Sequence, residues 1–363
     1  MKIKQLIHTY AQDLTNRYGP YLLPGHRKAL DAMLACRAHC GEFYARCEPC
    51  SQKRVVPLSC GHRNCPQCQH HLSDAWLERQ QQKLLPVTYF MLTLTLPSQL
   101  RGIAWRHQSI VYELLFQAAI ETVRTVGKNN FNLHLGMSGV LHTHKRDKGY
   151  HPHIHLIVPG GGLTLDGQTW RSLPQNFIIN EFALARIFRG IFLRKLFEQA
   201  IPLPAGLPQQ WVAHIRDVGR GEKALRYLSR YLYRGVISEQ DILADHHGQV
   251  TFRYQDSNTR TLKTKRQPAE TFLWTLLKHV LPQGFRRVRD VGFLHGNAHK
   301  TLKRIQLMLQ VKLPTTRPRK KAMACKVCNG PMQIDLVVPK KIPMRFRFYR
   351  LADWSNHVLL VPS

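Results

Sequence analysis

Acidic residues are scarce in this chain for its size. Of 363 residues, 22 are Asp or Glu against 53 Lys or Arg, a net charge of +31. Chemistry that needs several clustered carboxylates therefore has little to draw on, and no Asp stands at a convincing strand end with partners. Long apolar runs are also missing. None approaches the roughly 18 residues of a spanning helix, which weighs against a membrane partner. The opening MKIKQLIHTYAQDL is polar and has no apolar h-region, so no secretory signal is read there and a cytoplasmic location is expected. There is no internal repeat. Gly160, Gly161 and Gly162 lack the Gly-Lys-Ser/Thr ending of a phosphate-binding loop.

What is present points to nucleic acid. A hydrophobic content of 44% with 9% aromatics excludes wholesale disorder, and the length suits two or three domains. An excess of cations spread over most of the chain predicts a polyanionic partner. Nine cysteines without an export signal indicate metal ligation, not disulfides. Seven of them (Cys36, Cys40, Cys47, Cys50, Cys60, Cys65 and Cys68) fall within residues 36–71, with His39 and His62 among them. Cys47-x2-Cys50 and Cys65-x2-Cys68, fourteen residues apart, have the spacing of a four-thiolate zinc ribbon. Cys36 and Cys60, with His39, Cys40 or His62, offer a second, interleaved zinc site. Cys325-x2-Cys328 in the Lys/Arg-rich tail is a lone pair, read either as a partial metal knuckle or as a decayed one.

The chemistry is expected at His151-Pro152-His153-Ile154-His155-Leu156-Ile157-Val158, a run of β-formers ending at Pro159 and the three glycines, read as a strand entering a sharp turn. Alternation puts His151, His153 and His155 on one face and Ile154 and Leu156 on the other. Imidazoles at i, i+2 can converge on one divalent cation, or can be solvated spacers on a surface strand. A second strand, 136–144, precedes it across the polar turn Lys145-Arg146-Asp147-Lys148-Gly149. A hairpin centred on that turn places His142 opposite His153 as a third ligand, with His144 and His151 the next pair. Residues 87–96 read as a buried strand, and 107–127 and 184–200 as helices. The helix from Lys223 carries Tyr227 and Tyr231 one turn apart, off the Leu225, Leu228, Leu232 stripe and beside Lys223, Arg230 and Arg234. They are either packing residues or nucleophiles whose phenolic proton is eased away by nearby cations.

These motifs, in this order, resemble the rolling-circle transposases of the IS91 type, within the HUH endonucleases. The resemblance covers roughly residues 30–312. It runs through Cys65-Pro66-Gln67-Cys68, Thr93-Leu94-Thr95-Leu96-Pro97, Leu141-His142-Thr143, the His153-Ile154-His155 strand, and Arg226-Tyr227-Leu228-Ser229-Arg230-Tyr231. The family usually has Gly-Gly-His where Gly41-Glu42-Phe43 stands here, and His where Asn64 stands. The resemblance implies an α+β fold, an HUH-type antiparallel sheet flanked by helices and preceded by a small zinc-ribbon-like domain. It implies His153 and His155 as ligands of Mg²⁺ or Mn²⁺, and Tyr227 and Tyr231 as nucleophiles that cleave and rejoin single-stranded DNA at element ends and target. The expected organisation is a helical arm (1–35), a zinc-binding domain (36–85), the nuclease domain (86–240), its C-terminal part (241–313) and a basic tail (314–363). Two alternatives share features with this reading. A relaxase or replication initiator would use the same chemistry but commonly has its tyrosine ahead of the histidines. A non-catalytic zinc-containing DNA binder would bury the tyrosines far from His153 and His155.

Overall fold

The computed structural model describes residues 2–37, 40–68, 70–173, 180–232, 236–256, 259, 261–311 and 323–339, with backbone alone for 70–72 and 230–232. The chain divides into two compact units. One comprises Met1–His70, Tyr233–Val280 and Pro314–Ser363, the other His71–Leu232 and Leu281–Leu313. The segments 1–35 and 314–363, and most of 36–85, thus share one unit.

The second unit is built on a five-stranded, wholly antiparallel sheet. Its order is Val288–Val291, Met137–His144, Tyr150–Pro159, Tyr89–Thr95 and Val212–Asp217. Strand alternation decides its two faces. Leu92 and Leu94, Leu141, and Ile154, Leu156 and Val158 join Leu115, Phe116, Phe188 and Phe192 in the main core, on the side covered by helices Gln108–Phe131 and Glu181–Phe197. Gly139 is needed on that side, because a Cβ there would lie 2.9 Å from Leu156 Cδ2 and 3.2 Å from Phe116 Cε1. The opposite face carries Thr93, His142, His153 and His155. Ser138 on that face donates to Asp290 at 2.6 Å, and Gln80 of helix His70–Gln81 donates to the same carboxylate at 2.8 Å.

The three glycines after the histidine strand do not make a sharp turn. The chain runs on from Pro159 into Gly161–Thr164, which pairs with Leu133–Leu135 and Trp170–Ser172 in a separate small sheet. Glycine is required by close approach: a Cβ at Gly160 would sit 2.6 Å from the Thr88 carbonyl, and one at Gly162 2.6 Å from that of His134.

The first unit packs helices Ile3–Tyr18 and Pro24–Ala35 with a three-stranded sheet (Ile242–His246, Gln249–Gln255, Leu262–Pro268) and helix Ala269–Leu277. Leu6, Leu14, Leu30, Phe252 and Phe272 are its buried centre, and Tyr18 stacks on Trp274 at 5.0 Å. A four-stranded antiparallel sheet in the same unit has the order Met323–Ala324, Pro331–Pro339, Gly41–Cys47, Lys53–Pro57.

Candidate active site and metal centres

Register brings the imidazoles together. His142 pairs with His153 across the hairpin and Thr93 pairs with His155 on the other side of the histidine strand. The ring centroids of His142, His153 and His155 are 4.5–5.3 Å apart, and one nitrogen from each lies within 4.8 Å of the others. His153 donates from Nδ1 to the His151 carbonyl at 2.8 Å, and His155 Nδ1 meets Thr93 Oγ1 at 2.9 Å. A neutral imidazole that donates through Nδ1 presents a lone pair at Nε2, which is how ligating histidines are oriented. Burial pushes His142 and His155 well below the ordinary imidazole range, and the neighbouring imidazoles push the same way. Burial lowers His153 as well, against an upward pull from the His151 carbonyl. All three are therefore neutral, the form that binds metal. The donor set of three nitrogens with no carboxylate leaves room for phosphate oxygens around a cation.

His151 and His144 stand outside the group. Arg101 donates to His151 Nδ1 at 3.0 Å, and a register shift after His142 sets His144 opposite Tyr150 and not His151. Thr93 belongs to the Thr93-Leu94-Thr95-Leu96-Pro97 motif, but nothing in that mostly apolar strand marks its hydroxyl as the partner of a histidine.

Helix Glu222–Leu232 lies against strand Met137–His144. Gly221, at φ +84°, starts it, and a Cβ there would lie 2.9 Å from the Tyr89 ring. Ala224, Leu225 and Leu228 are buried while Lys223 and Arg226 face solvent, as the leucine stripe requires. Tyr227 is half-buried, its ring 6.1 Å from His155 and 6.5 Å from His142. Of the two phenols expected beside the imidazoles, the fold brings the Tyr227 ring into their neighbourhood. Tyr231 lies one turn further along the same helix, its side chain outside the described residues.

The cysteines are grouped differently from the expected ribbon. Cys65 and Cys68 cluster with Cys36 and Cys60, the Cys36 sulfur lying 3.3 Å from that of Cys68 and 3.4 Å from that of Cys65. Cys47 and Cys50 cluster instead with Cys325 and Cys328. The physical reason is the sheet: strand Gly41–Cys47 pairs with Pro331–Pro339, which carries its Cys pair away from Cys65 and Cys68. His62 is in neither group, its Nδ1 accepting from the Asn64 amide at 3.3 Å; Cys40 donates to the Ala35 carbonyl, and His39 lies outside the described residues. In a tetrahedral tetrathiolate, zinc–sulfur bonds of about 2.3 Å set sulfurs about 3.8 Å apart. The Cys36, Cys60, Cys65, Cys68 set fits that donor chemistry.

Among the described residues no helix is long and apolar enough to cross a membrane. Comparison with known proteins gives the family. Residues 6–96 match the "transposase zinc-binding domain" and residues 136–301 the "putative transposase" domain. The "putative transposase y4qJ" of Sinorhizobium fredii (strain NBRC 101917 / NGR234) is 32% identical over 328 residues, 81% of this chain and 82% of the relative. The transposase for insertion sequence element IS801 of Pseudomonas savastanoi pv. phaseolicola is 26% identical over 293 residues, 74% of this chain and 70% of the relative. Among solved structures, the conjugative relaxase TrwC with oriT DNA, metal-free, aligns over 61% of this chain and 70% of its own at 12% identity, with a TM-score of 0.27. With two transposase domains in series and a relative alike over four-fifths of both chains, the protein belongs to the IS91-type transposases.

Proposed function

We propose that the protein cuts and rejoins single-stranded DNA at the ends of an insertion element and in target DNA, working in the cytoplasm through a tyrosine nucleophile. The observation that carries this reading is the 6.1 Å approach of the Tyr227 ring to His155 on the face where three neutral imidazoles converge. His142, His153 and His155 would hold Mg²⁺ or Mn²⁺. When bound, such a cation supplies Lewis-acid polarisation of a phosphoryl oxygen and offsets the charge that develops on it. The chain's own part is to aim its groups. Tyr227 gives its phenolic proton to water, its oxygen attacks the phosphorus, the bond from phosphorus to O3′ breaks, and the 3′-oxygen leaves as a hydroxyl after taking a proton from water. The product is a 5′-phosphotyrosine, and attack on it by another 3′-hydroxyl reverses the step without a nucleotide cofactor. Tyr231, one helical turn on, serves as a second nucleophile for the other strand. Arg226 and Lys223, exposed beside Tyr227, hold the DNA backbone. Cys36, Cys60, Cys65 and Cys68 hold a structural zinc.

The test is cleavage of single-stranded oligonucleotides carrying candidate element ends, with and without divalent metal, followed by denaturing electrophoresis for a protein–DNA adduct. A metal-dependent adduct is expected, lost when Tyr227→Phe and Tyr231→Phe are combined. An adduct that survives both substitutions overturns the assignment.

A further inference from the structure

The Cys325 and Cys328 pair lies beyond both matched domains, whose limits are residues 96 and 301, yet the fold sets it against Cys47 and Cys50. The Cys47 sulfur is 3.3 Å from that of Cys328, and the Cys50 sulfur 3.6 Å from that of Cys325, although 281 and 275 residues separate the partners. Those distances are far beyond the roughly 2.05 Å of a disulfide and close to the edge of a zinc tetrathiolate.

The backbone around the sulfurs repeats itself. In Cys47-Glu48-Pro49-Cys50-Ser51-Gln52, the Cys47 amide donates to the Gln52 carbonyl at 2.9 Å. In Cys325-Lys326-Val327-Cys328-Asn329-Gly330, the Cys325 amide donates to the Gly330 carbonyl at 2.8 Å. Each pair is followed by a residue in the left-handed region, Ser51 at φ +54° and Asn329 at φ +59°. Each turn also aims amides at its own sulfurs. The Cys50 and Gln52 amides face the sulfurs of Cys47 and Cys50, while the Val327 amide lies 3.4 Å from the Cys325 sulfur, joined there by that of Cys328. Gly330 is required by closeness of the two turns, since a Cβ would lie 2.8 Å from Pro49 Cγ.

The geometry points to a second tetrathiolate zinc site, formed by Cys47, Cys50, Cys325 and Cys328, that fastens the C-terminal segment to the zinc-binding domain. Two matching knuckles, one from each end of the chain, close on one ion and release their thiol protons as it binds. Without the C-terminal half, strands Gly41–Cys47 and Lys53–Pro57 are a lone two-stranded hairpin, which is marginal in water. With it they become a four-stranded sheet.

Cys50 and Cys328 are exposed, so without a metal they would react at once with a thiol reagent. The full-length protein as purified is treated with iodoacetamide and mapped by mass spectrometry, before and after addition of a strong chelator, and its metals are counted by plasma mass spectrometry. Two zinc ions per chain are expected, with Cys50 and Cys328 unmodified until chelation. Cys325→Ser combined with Cys328→Ser should lower the count to one, and Cys328→His should restore two. Immediate alkylation of Cys50 and Cys328 in the purified protein, iron in place of zinc, disulfides linking the two pairs, or an unchanged zinc count in the double variant would each overturn the site. None of these readouts involves DNA cleavage, so they stand apart from the nuclease assignment.

Discussion

Thr93→Val isolates the orientation of one imidazole from everything else in the site. Thr93 Oγ1 lies 2.9 Å from His155 Nδ1, directly across the strand pair. Valine keeps the β-branched shape and the volume, so the strand and its packing are retained. What is lost is the partner of Nδ1, which accepts the Nδ1 proton in the tautomer that leaves Nε2 free to ligate. The imidazole then has no reason to keep its proton on Nδ1, and the tautomer with the proton on Nε2 cannot ligate through that nitrogen. Leaving a buried donor unsatisfied costs about 1–3 kcal/mol. Loss of the partner that orients a ligating histidine typically lowers metal affinity or activity about 10–100-fold. The Mn²⁺ concentration for half-maximal cleavage should rise by that factor, with the dissociation constant from calorimetry rising in parallel. Thr93→Ser, which keeps the hydroxyl, should restore both. A Thr93→Val protein with an unaltered melting curve and an unaltered Mn²⁺ midpoint would refute the reasoning.

Other expectations follow from single positions. Gly139→Ala forces a Cβ against Leu156 and Phe116 in the main core, and overpacking of this kind costs about 1–3 kcal/mol, measurable as a lower urea midpoint. His26 is held neutral by burial, down to about 4 from 6.5, so the folded form is fully favoured above pH 6.5 and loses stability as pH falls from 6.5 towards 4. Burial pushes Asp31 in the same unit up to about 7, so its contribution is present below pH 3.8 and lost as pH rises through 7. His26→Gln should flatten the acid loss and Asp31→Asn should raise stability at pH 8, both read from thermal melts; unchanged pH slopes would contradict them. Single-stranded DNA binding should weaken steeply with salt, with a log–log slope near −0.7 per phosphate engaged, reduced by about that amount in Arg226→Ala.

Much of the histidine-bearing face was legible because a strand and a hairpin obey simple periodicities. The polar turn at 145–149 fixed which residues oppose each other, so His142 against His153 followed from counting. The shift after His142 did not, because a β-bulge needs no particular residue to announce it. Glycines are ambiguous in the same way. Gly160, Gly161 and Gly162 look like a turn, yet the fold uses Gly160 and Gly162 where backbones of neighbouring strands crowd together, which depends on partners far away in sequence. Cysteine spacing revealed the pairs but not which pair meets which. Only fourteen residues separate the Cys47/Cys50 pair from the Cys65/Cys68 pair, so proximity in sequence favoured the wrong match over partners more than 270 residues away.

The two thiolate groups also differ in what surrounds them, and this predicts how each responds to metal loss. Cys36, Cys65 and Cys68 are part of an extensive core with Ile3, Leu6, Leu30 and Phe252. A neutral thiol behaves as a small hydrophobe there, so helices Ile3–Tyr18 and Pro24–Ala35 keep most of their packing when the ion is removed. Among the described residues, Cys47 and Cys325 have Ala45 and Met332 as their buried companions, with Phe43 and Met323 half-buried against them. Along Pro331–Pro339, Ile334, Leu336 and Val337 are 50–58% exposed, so that sheet has almost no apolar interior to hold it once its cross-link is gone. On chelation, amides of Gly41–Cys47 and Pro331–Pro339 should therefore exchange hydrogen first and fastest, while those of the two N-terminal helices stay protected. Equal loss of protection in both sets would show that the sheet does not depend on its metal more than the helices do.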